Sequence, residues 1–184
     1  MNTTTAFAKN AIAPWRHVRA IALLPVMNTV VIPSILLVVT AATTPYLTGG
    51  VALAAAIAGA ALLAGGAALV AHCIRLFIRL GRGTLAPWDP TRELVSAGAY
   101  RYSRNPMKGG LFLVLAGEAL LTRSPMLAVW FICFALVNVL YIRLHEEPGL
   151  QARFGARYRE YCARVPRWWP TPRSLRTAFR QELQ

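Results

Sequence analysis

The chain has 184 residues, of which 56% are hydrophobic, yet its formal net charge is +13 and its mean hydropathy +0.45. A soluble domain is about 45–50% apolar, so the combination argues against an ordinary soluble core and for apolar membrane spans joined by basic loops. The charges flank apolar runs and build no reading motif, so no nucleic acid partner is expected.

Residues 1–20 are polar and then basic. The apolar run after them lacks a small-residue cleavage site, which predicts a retained first span and no signal peptide. Span one is expected over 21–40, kinked by Pro25 and Pro33, with Asn28 bonding a neighbouring helix. Span two is expected over 51–74. Its alanines and glycines let neighbouring backbones come close, and its end turns amphipathic, with Arg75, Arg79 and Arg82 at the interface and His72 packed or interfacial.

Residues 81–108 carry the Gly and Pro content of an irregular loop with short ordered pieces. Loops of that length are usually functional. Span three is expected over 106–122, with Arg104 and Lys108 snorkelling to the surface. Arg123, Ser124 and Pro125 form a tight turn into span four, 126–142, so the two make a helical hairpin. In the tail, Leu150, Phe154, Tyr158, Tyr161 and Val165 recur at helical spacing, which predicts one amphipathic helix on the membrane or on the bundle. Trp168 and Trp169 suit the interface.

Counting Lys and Arg gives the orientation. The N-terminus holds Lys9, Arg16 and Arg19, and the loop between spans one and two holds none. The next loop with its flanks holds seven, the following turn only Arg123, and the tail from Arg143 nine. That alternation predicts an all-α, polytopic bundle of about four transmembrane helices with both termini, the long loop and the active site cytoplasmic. The chain reads as one membrane domain, 1–184, with a catalytic half at about 81–170.

Three patterns then share one face. Asn105-Pro106 is a helix start, with Asn as cap and Pro at the first position, and the free N–H groups of that turn would attract an anion. Gly109 and Gly110 would let a ligand or a second helix approach. Glu146-Glu147 lies at the expected end of span four, where acidic residues oppose the helix dipole. The pair would bind Arg101, Arg104 or Arg143, or else hydroxyl and ammonium groups of a ligand. His145 has no second His at ligand spacing, and the cysteines Cys73, Cys133 and Cys162 form no CxxC pair, so no metal is expected. Glu118, inside span three, reads as paired near Arg123 or exposed at the interface.

The segments GAYRYSRNPMKGG, EEPGL and FGARYREYCARVP occur in this order across 81–170. Together they resemble the isoprenylcysteine carboxyl methyltransferase and phospholipid methyltransferase family of integral membrane enzymes. The resemblance implies an S-adenosylmethionine-dependent methyltransferase acting on a lipophilic or membrane-embedded acceptor, a carboxylate, amine or thiol. It implies cofactor contacts from Arg92, Glu93, Leu94, Val95, Tyr100, Asn105, Pro106, Met107, Lys108 and Glu146. Arg143, offset by one position, is its candidate for holding the acceptor, and Glu147, Tyr100 or Tyr102 would help remove a proton from an amine or thiol. Asn105 replaces the family's usual His, which removes any proton chemistry by that His. Lys108 replaces a Tyr, adding a charge and losing an aromatic face. Two other readings stand beside this one: a membrane reductase using a nicotinamide cofactor, and a non-catalytic membrane protein whose basic tail binds anionic lipid or a partner.

Overall fold

The computed structural model describes residues 22–40, 49–80, 93–172 and 175. Those residues are helical or irregular, with no strand among them.

The first helix, α1, is π-wound over Ala22–Val31 and α-wound over Ile32–Thr40. The change falls beside Pro33, whose missing N–H removes one rung of the ladder. Thr29 Oγ1 donates back to the Pro25 carbonyl at 2.9 Å. The second helix, α2, spans Gly49–Leu80 and so runs past the expected end at 74. A 3-10 turn, Gly98–Arg101, precedes α3, Pro106–Thr122, whose bounds are those read from the sequence.

Arg123, in the left-handed region at φ 55°, turns the chain. The Ser124 hydroxyl then accepts from the Leu127 N–H at 3.4 Å and caps α4, Pro125–Tyr141. The helix does not stop near 142. It continues through a π turn, Ile142–Glu146, into α5, Glu147–Phe154. Pro148 cannot donate to the ladder, and a π turn just before it is a common way to absorb the lost rung. Glu146 and Glu147 therefore sit inside a continuing helix, so the expected opposition to a helix terminus does not apply.

The tail is likewise two helices and not one. Gly155, at φ 54°, breaks α5 from α6, Ala156–Arg164. Tyr158, Tyr161 and Val165 are buried together, with Leu150, Phe154 and Leu94 packed against them.

The tightest seam joins α2 and α3. Gly59 faces Gly117, and Gly66 faces Gly110. A Cβ built on Gly66 would sit 2.7 Å from the Gly110 carbonyl oxygen, and one on Gly117 would sit 2.7 Å from the Gly59 oxygen. Both pairs recur after seven residues, two helical turns, so they fall on one line along each helix. With little hydrophobic drive between helices in lipid, such small-residue contact is what brings backbones together. The first helix is tied to the bundle differently: Trp130 Nε1 on α4 donates to the backbone carbonyl of Asn28 at 3.2 Å.

Outward faces are apolar and exposed: Ile35, Val38 and Val39 on α1, Leu53 and Ile57 on α2, Ile132 and Leu136 on α4. Gly49–Leu80 and Pro125–Phe154 are long and apolar enough to cross a membrane.

Candidate active site

A cavity of about 700 Å³ opens between α1, α3, α4 and the segment 93–105. Its polar lining includes Tyr100, Arg104, Asn105, Lys108, Asn138, Glu146, Glu147 and Arg153. Its apolar and aromatic lining includes Leu111 and, on α4, Trp130, Phe134 and Val137. Pro25 and Asn28 of α1 border it.

Local geometry explains how each polar group arrives there. The 3-10 turn begins at Gly98, φ 56°, where a Cβ would meet Leu76 Cδ1 at 2.7 Å. Only glycine lets that turn lie so close to α2, and this presses Tyr100 and Val95 onto Cys73, Leu76 and Phe77. Phe77 meets the Tyr100 ring edge-on at 5.5 Å. Burial, reinforced by Cys73 and Tyr161 nearby, holds the Tyr100 hydroxyl well above the usual tyrosine range. Tyr100 is thus a neutral hydroxyl and a poor proton acceptor.

Asn105 precedes α3 as expected, but its side chain does not cap the helix. Nδ2 donates instead to the Arg167 carbonyl at 3.2 Å. The same carbonyl accepts from Ser103 Oγ at 3.2 Å, and Arg104 N–H donates to the Pro166 carbonyl at 2.9 Å. Tyr161 adds a hydroxyl bond to the Tyr100 carbonyl at 2.7 Å. The tail is therefore stitched to the segment that carries Tyr100 and Asn105.

The adjacent glutamates have different surroundings. Glu147 takes both bonds of a fork from Arg167, at 2.9 and 2.6 Å, and forms an ion pair with Arg104 Nη1 at 2.9 Å. Arg104 Nη1 also donates to Cys162 Sγ at 2.8 Å. Of the partners considered from sequence, Arg104 is the one in place, and it is part-buried where a snorkelling side chain was expected. Arg167 was not anticipated. Glu146 lines the cavity and forms no ion pair among the described residues.

Lys108 also departs from the snorkelling reading. It turns into the cavity, and its Nζ donates to Asn138 Oδ1 at 2.8 Å. The amide of Asn138 is oriented for this, because its Nδ2 is spent on the Phe134 carbonyl at 2.8 Å. A polar residue in the middle of an apolar span was the sequence signal for Asn138. Trp130, in the same span, carried a similar one.

The structure thus brings Leu94, Val95, Tyr100, Asn105, Met107, Lys108, Glu146 and Glu147 to one cavity. Pro106 is buried beside it at the first position of α3. Glu93 and Arg143 are exposed, and neither they nor the half-buried Tyr102 are among the cavity's lining residues. Arg92 lies outside the described residues. His145 borders the cavity and stacks on Tyr141 at 5.5 Å, and no group of three potential metal ligands occurs among the described residues. At the far end of α3, Glu118 does not pair with Arg123: its Oε2 and the Arg123 Nε are buried without hydrogen-bond partners.

A family model described as phospholipid methyltransferase matches residues 54–157. No curated protein and no solved structure matches the chain. The matched stretch begins in α2, contains the glycine seam and most of the cavity wall, and ends one residue before Tyr158. It covers more than half of the 184 residues. With two helices long and apolar enough to cross a membrane and a carboxylate facing a cavity beside them, the chain belongs to the phospholipid methyltransferase family of membrane methyltransferases.

Proposed function

We propose that this chain transfers a methyl group from S-adenosylmethionine to a lipophilic acceptor within the cavity between α1, α3 and α4. The observation that carries the reading is Glu146. It is a carboxylate without an ion-pair partner among the described residues, in a cavity that Tyr100, Leu94, Val95 and Met107 also line. A cofactor bearing amino and hydroxyl groups beside an apolar body fits that donor set. A half-buried carboxylate can accept their hydrogen bonds, and the aliphatic and aromatic wall can cover the rest.

The cofactor supplies a methyl group already activated on a sulfonium. The protein's work is then alignment and exclusion of water. Glu146 holds one end of the ligand, and Val95, Met107 and Tyr100 shut out solvent. Tyr100, kept protonated, offers a neutral hydroxyl. Glu147 acts at one remove, fixing Arg104 and Arg167 and so the segment before α3. Arg143 and Tyr102, off the cavity, receive no role in the chemistry.

The acceptor's lipophilic part lies along α4 and enters sideways from the membrane. The reading includes four spans, both termini and the polar end of the cavity on the cytoplasmic side, as the Lys and Arg count suggests. Reporter fusions near Tyr46 and at the C-terminus should then give opposite signals. Equal signals would overturn the topology.

Calorimetry in neutral detergent tests the cofactor. The protein should bind S-adenosylmethionine and S-adenosylhomocysteine. Glu146→Gln, which keeps shape and removes charge, should weaken both about tenfold or more, the effect of losing a charge-assisted bond worth about 1.5–3 kcal/mol. Its melting temperature should stay unchanged. No heat with either compound would sink the methyltransferase mechanism in favour of a lipid-binding or reductase role.

A further inference from the structure

We propose that Lys108 is a specificity-determining residue that binds an oxyanion on the acceptor, so that the acceptor is an anionic amphiphile with its phosphate or carboxylate at Lys108 and its tail along α4. The proposal rests on the cofactor reading above and extends it to the second ligand.

Position is the first argument. Lys108 reaches from the first turn of α3 to Asn138 on α4, with Nζ and Oδ1 2.8 Å apart. Asn138 is one turn from Phe134, and Val137 adjoins it, so the ammonium stands where the polar wall ends and the apolar arm begins. From Asn138 to Trp130 the arm covers about 12 Å of helix at 1.5 Å per residue. Trp130 closes it, its ring held by the bond to the Asn28 carbonyl and packed on Phe134 at 6.2 Å. A molecule that is anionic at one end and apolar beyond it matches that order of groups.

Hydrogen-bonding capacity is the second. An ammonium has three donors. One goes to Asn138, and no carboxylate of the described residues stands within ion-pair distance of the rest. Asn138 offers only a carbonyl dipole, so within the cavity the opposite charge that acts on Lys108 is Glu146, beyond ion-pair distance.

Charge balance is the third. Glu147 is fully engaged by two arginines, so Glu146 is the cavity's one uncommitted carboxylate among the described residues. A sulfonium-bearing cofactor would bring a further positive charge. Lys108 and the sulfonium together exceed what Glu146 can balance, and burying an unmatched charge is costly. An anionic acceptor restores the balance, and a cationic one worsens it.

The test uses full-length protein in neutral dodecyl maltoside, titrated with dodecyl phosphate, dodecanoate, dodecyltrimethylammonium and inorganic phosphate. Binding is read from tryptophan fluorescence, with Trp130→Phe identifying the signal from the arm. Dodecyl phosphate and dodecanoate should bind at least tenfold more tightly than dodecyltrimethylammonium. Lys108→Gln should abolish that preference, whereas Lys108→Arg, which keeps the charge, should retain most of it. The exposed Arg143→Gln should leave it intact. Inorganic phosphate binding as tightly as dodecyl phosphate would overturn the amphiphile and leave a plain anion site. An unchanged preference in Lys108→Gln would overturn the proposal outright. S-adenosylhomocysteine affinity is measured on the same variants. Its loss in Lys108→Gln would assign the lysine to the cofactor and overturn its role toward the acceptor. If the unaltered protein bound no S-adenosylhomocysteine yet showed the Lys108-dependent preference, the cofactor reading would fail and the anion site would stand.

Discussion

Two junctions hold this molecule together, and they use opposite chemistry. Along the seam between α2 and α3, glycines at 59, 66, 110 and 117 bring backbones so close that a single added carbon would collide. No hydrogen bond or charge is needed there. At the junction between the tail and the segment before α3, contact is made by polar groups: Glu147 between Arg104 and Arg167, the Arg167 carbonyl between Ser103 and Asn105, and Tyr161 on Tyr100. The division follows the surroundings. Between helices in lipid, association depends on close packing. At the tail junction directed bonds add to the apolar packing of Tyr158, Tyr161 and Val165 against Leu94 and set the geometry. The cavity lies between the two junctions, so its shape depends on a rigid seam behind it and a polar clamp beneath it.

The sharpest way to break the comparison is in the seam. Gly66→Val would drive a side chain into the Gly110 carbonyl oxygen, 2.7 Å from the new Cβ, and into the Val114 N–H at 2.8 Å. Those atoms are backbone and cannot rotate away. Overpacking usually costs about 1–3 kcal/mol, and this case should lie at or beyond the top of that range. The melting temperature in detergent should fall by roughly 6–12 °C, taking about 2–4 °C per kcal/mol for a chain of this size. Gly65→Val is the control, because a Cβ there meets nothing within 4 Å. Equal losses in the two variants would mean that helix propensity, and not the seam, governs stability.

The seam also marks what was legible in the sequence. Alanine and glycine in span two announced a close approach, and Gly110 was read as open to a ligand or a helix. The identity of the partner was available too: 59 and 66 share the seven-residue spacing of 110 and 117, a match that only emerges when two spans are compared. The bounds of α3 were legible because Pro106 and Arg123 punctuate it. The end of span four was not. Hydropathy stops near Ile142, but backbone hydrogen bonding does not, and the π turn carries the helix on to Phe154. In the site, Tyr100, Asn105, Lys108 and Glu146 reach the cavity from the stretches that motif resemblance singled out. Arg143 was chosen for its place next to the glutamates; at three and four residues from 146 and 147 it shares their side of the helix, yet it is exposed and does not line the cavity. Arg167, twenty positions from Glu147, carried no local signal; its role depends on the reversal at Gly155, which sequence spacing treated as continuous helix.

The polar clamp gives the smaller effect and the closer test of what Glu147 does. Glu147→Gln would leave Arg104 and Arg167 side by side without the carboxylate that separates their charges. Removing one partner of a fully buried pair costs about 3–5 kcal/mol. Here Arg167 stays 31% exposed and Glu147 16%, so water would take up part of the loss, and about 2 kcal/mol is expected. The melting temperature should fall by roughly 4–8 °C on the same scale. Below the new transition, S-adenosylhomocysteine affinity should drop only a few fold, because the carboxylate on the cavity is Glu146. Arg167→Gln should lose less than Glu147→Gln, and the double variant should lose less than the sum, since both substitutions dismantle one contact. Additive losses would mean that the fork at 2.6 and 2.9 Å contributes nothing. If Glu147 instead removed a proton from the acceptor, its charge would be free to act in the cavity. Glu147→Gln would then melt normally, bind the cofactor normally and fail only in turnover.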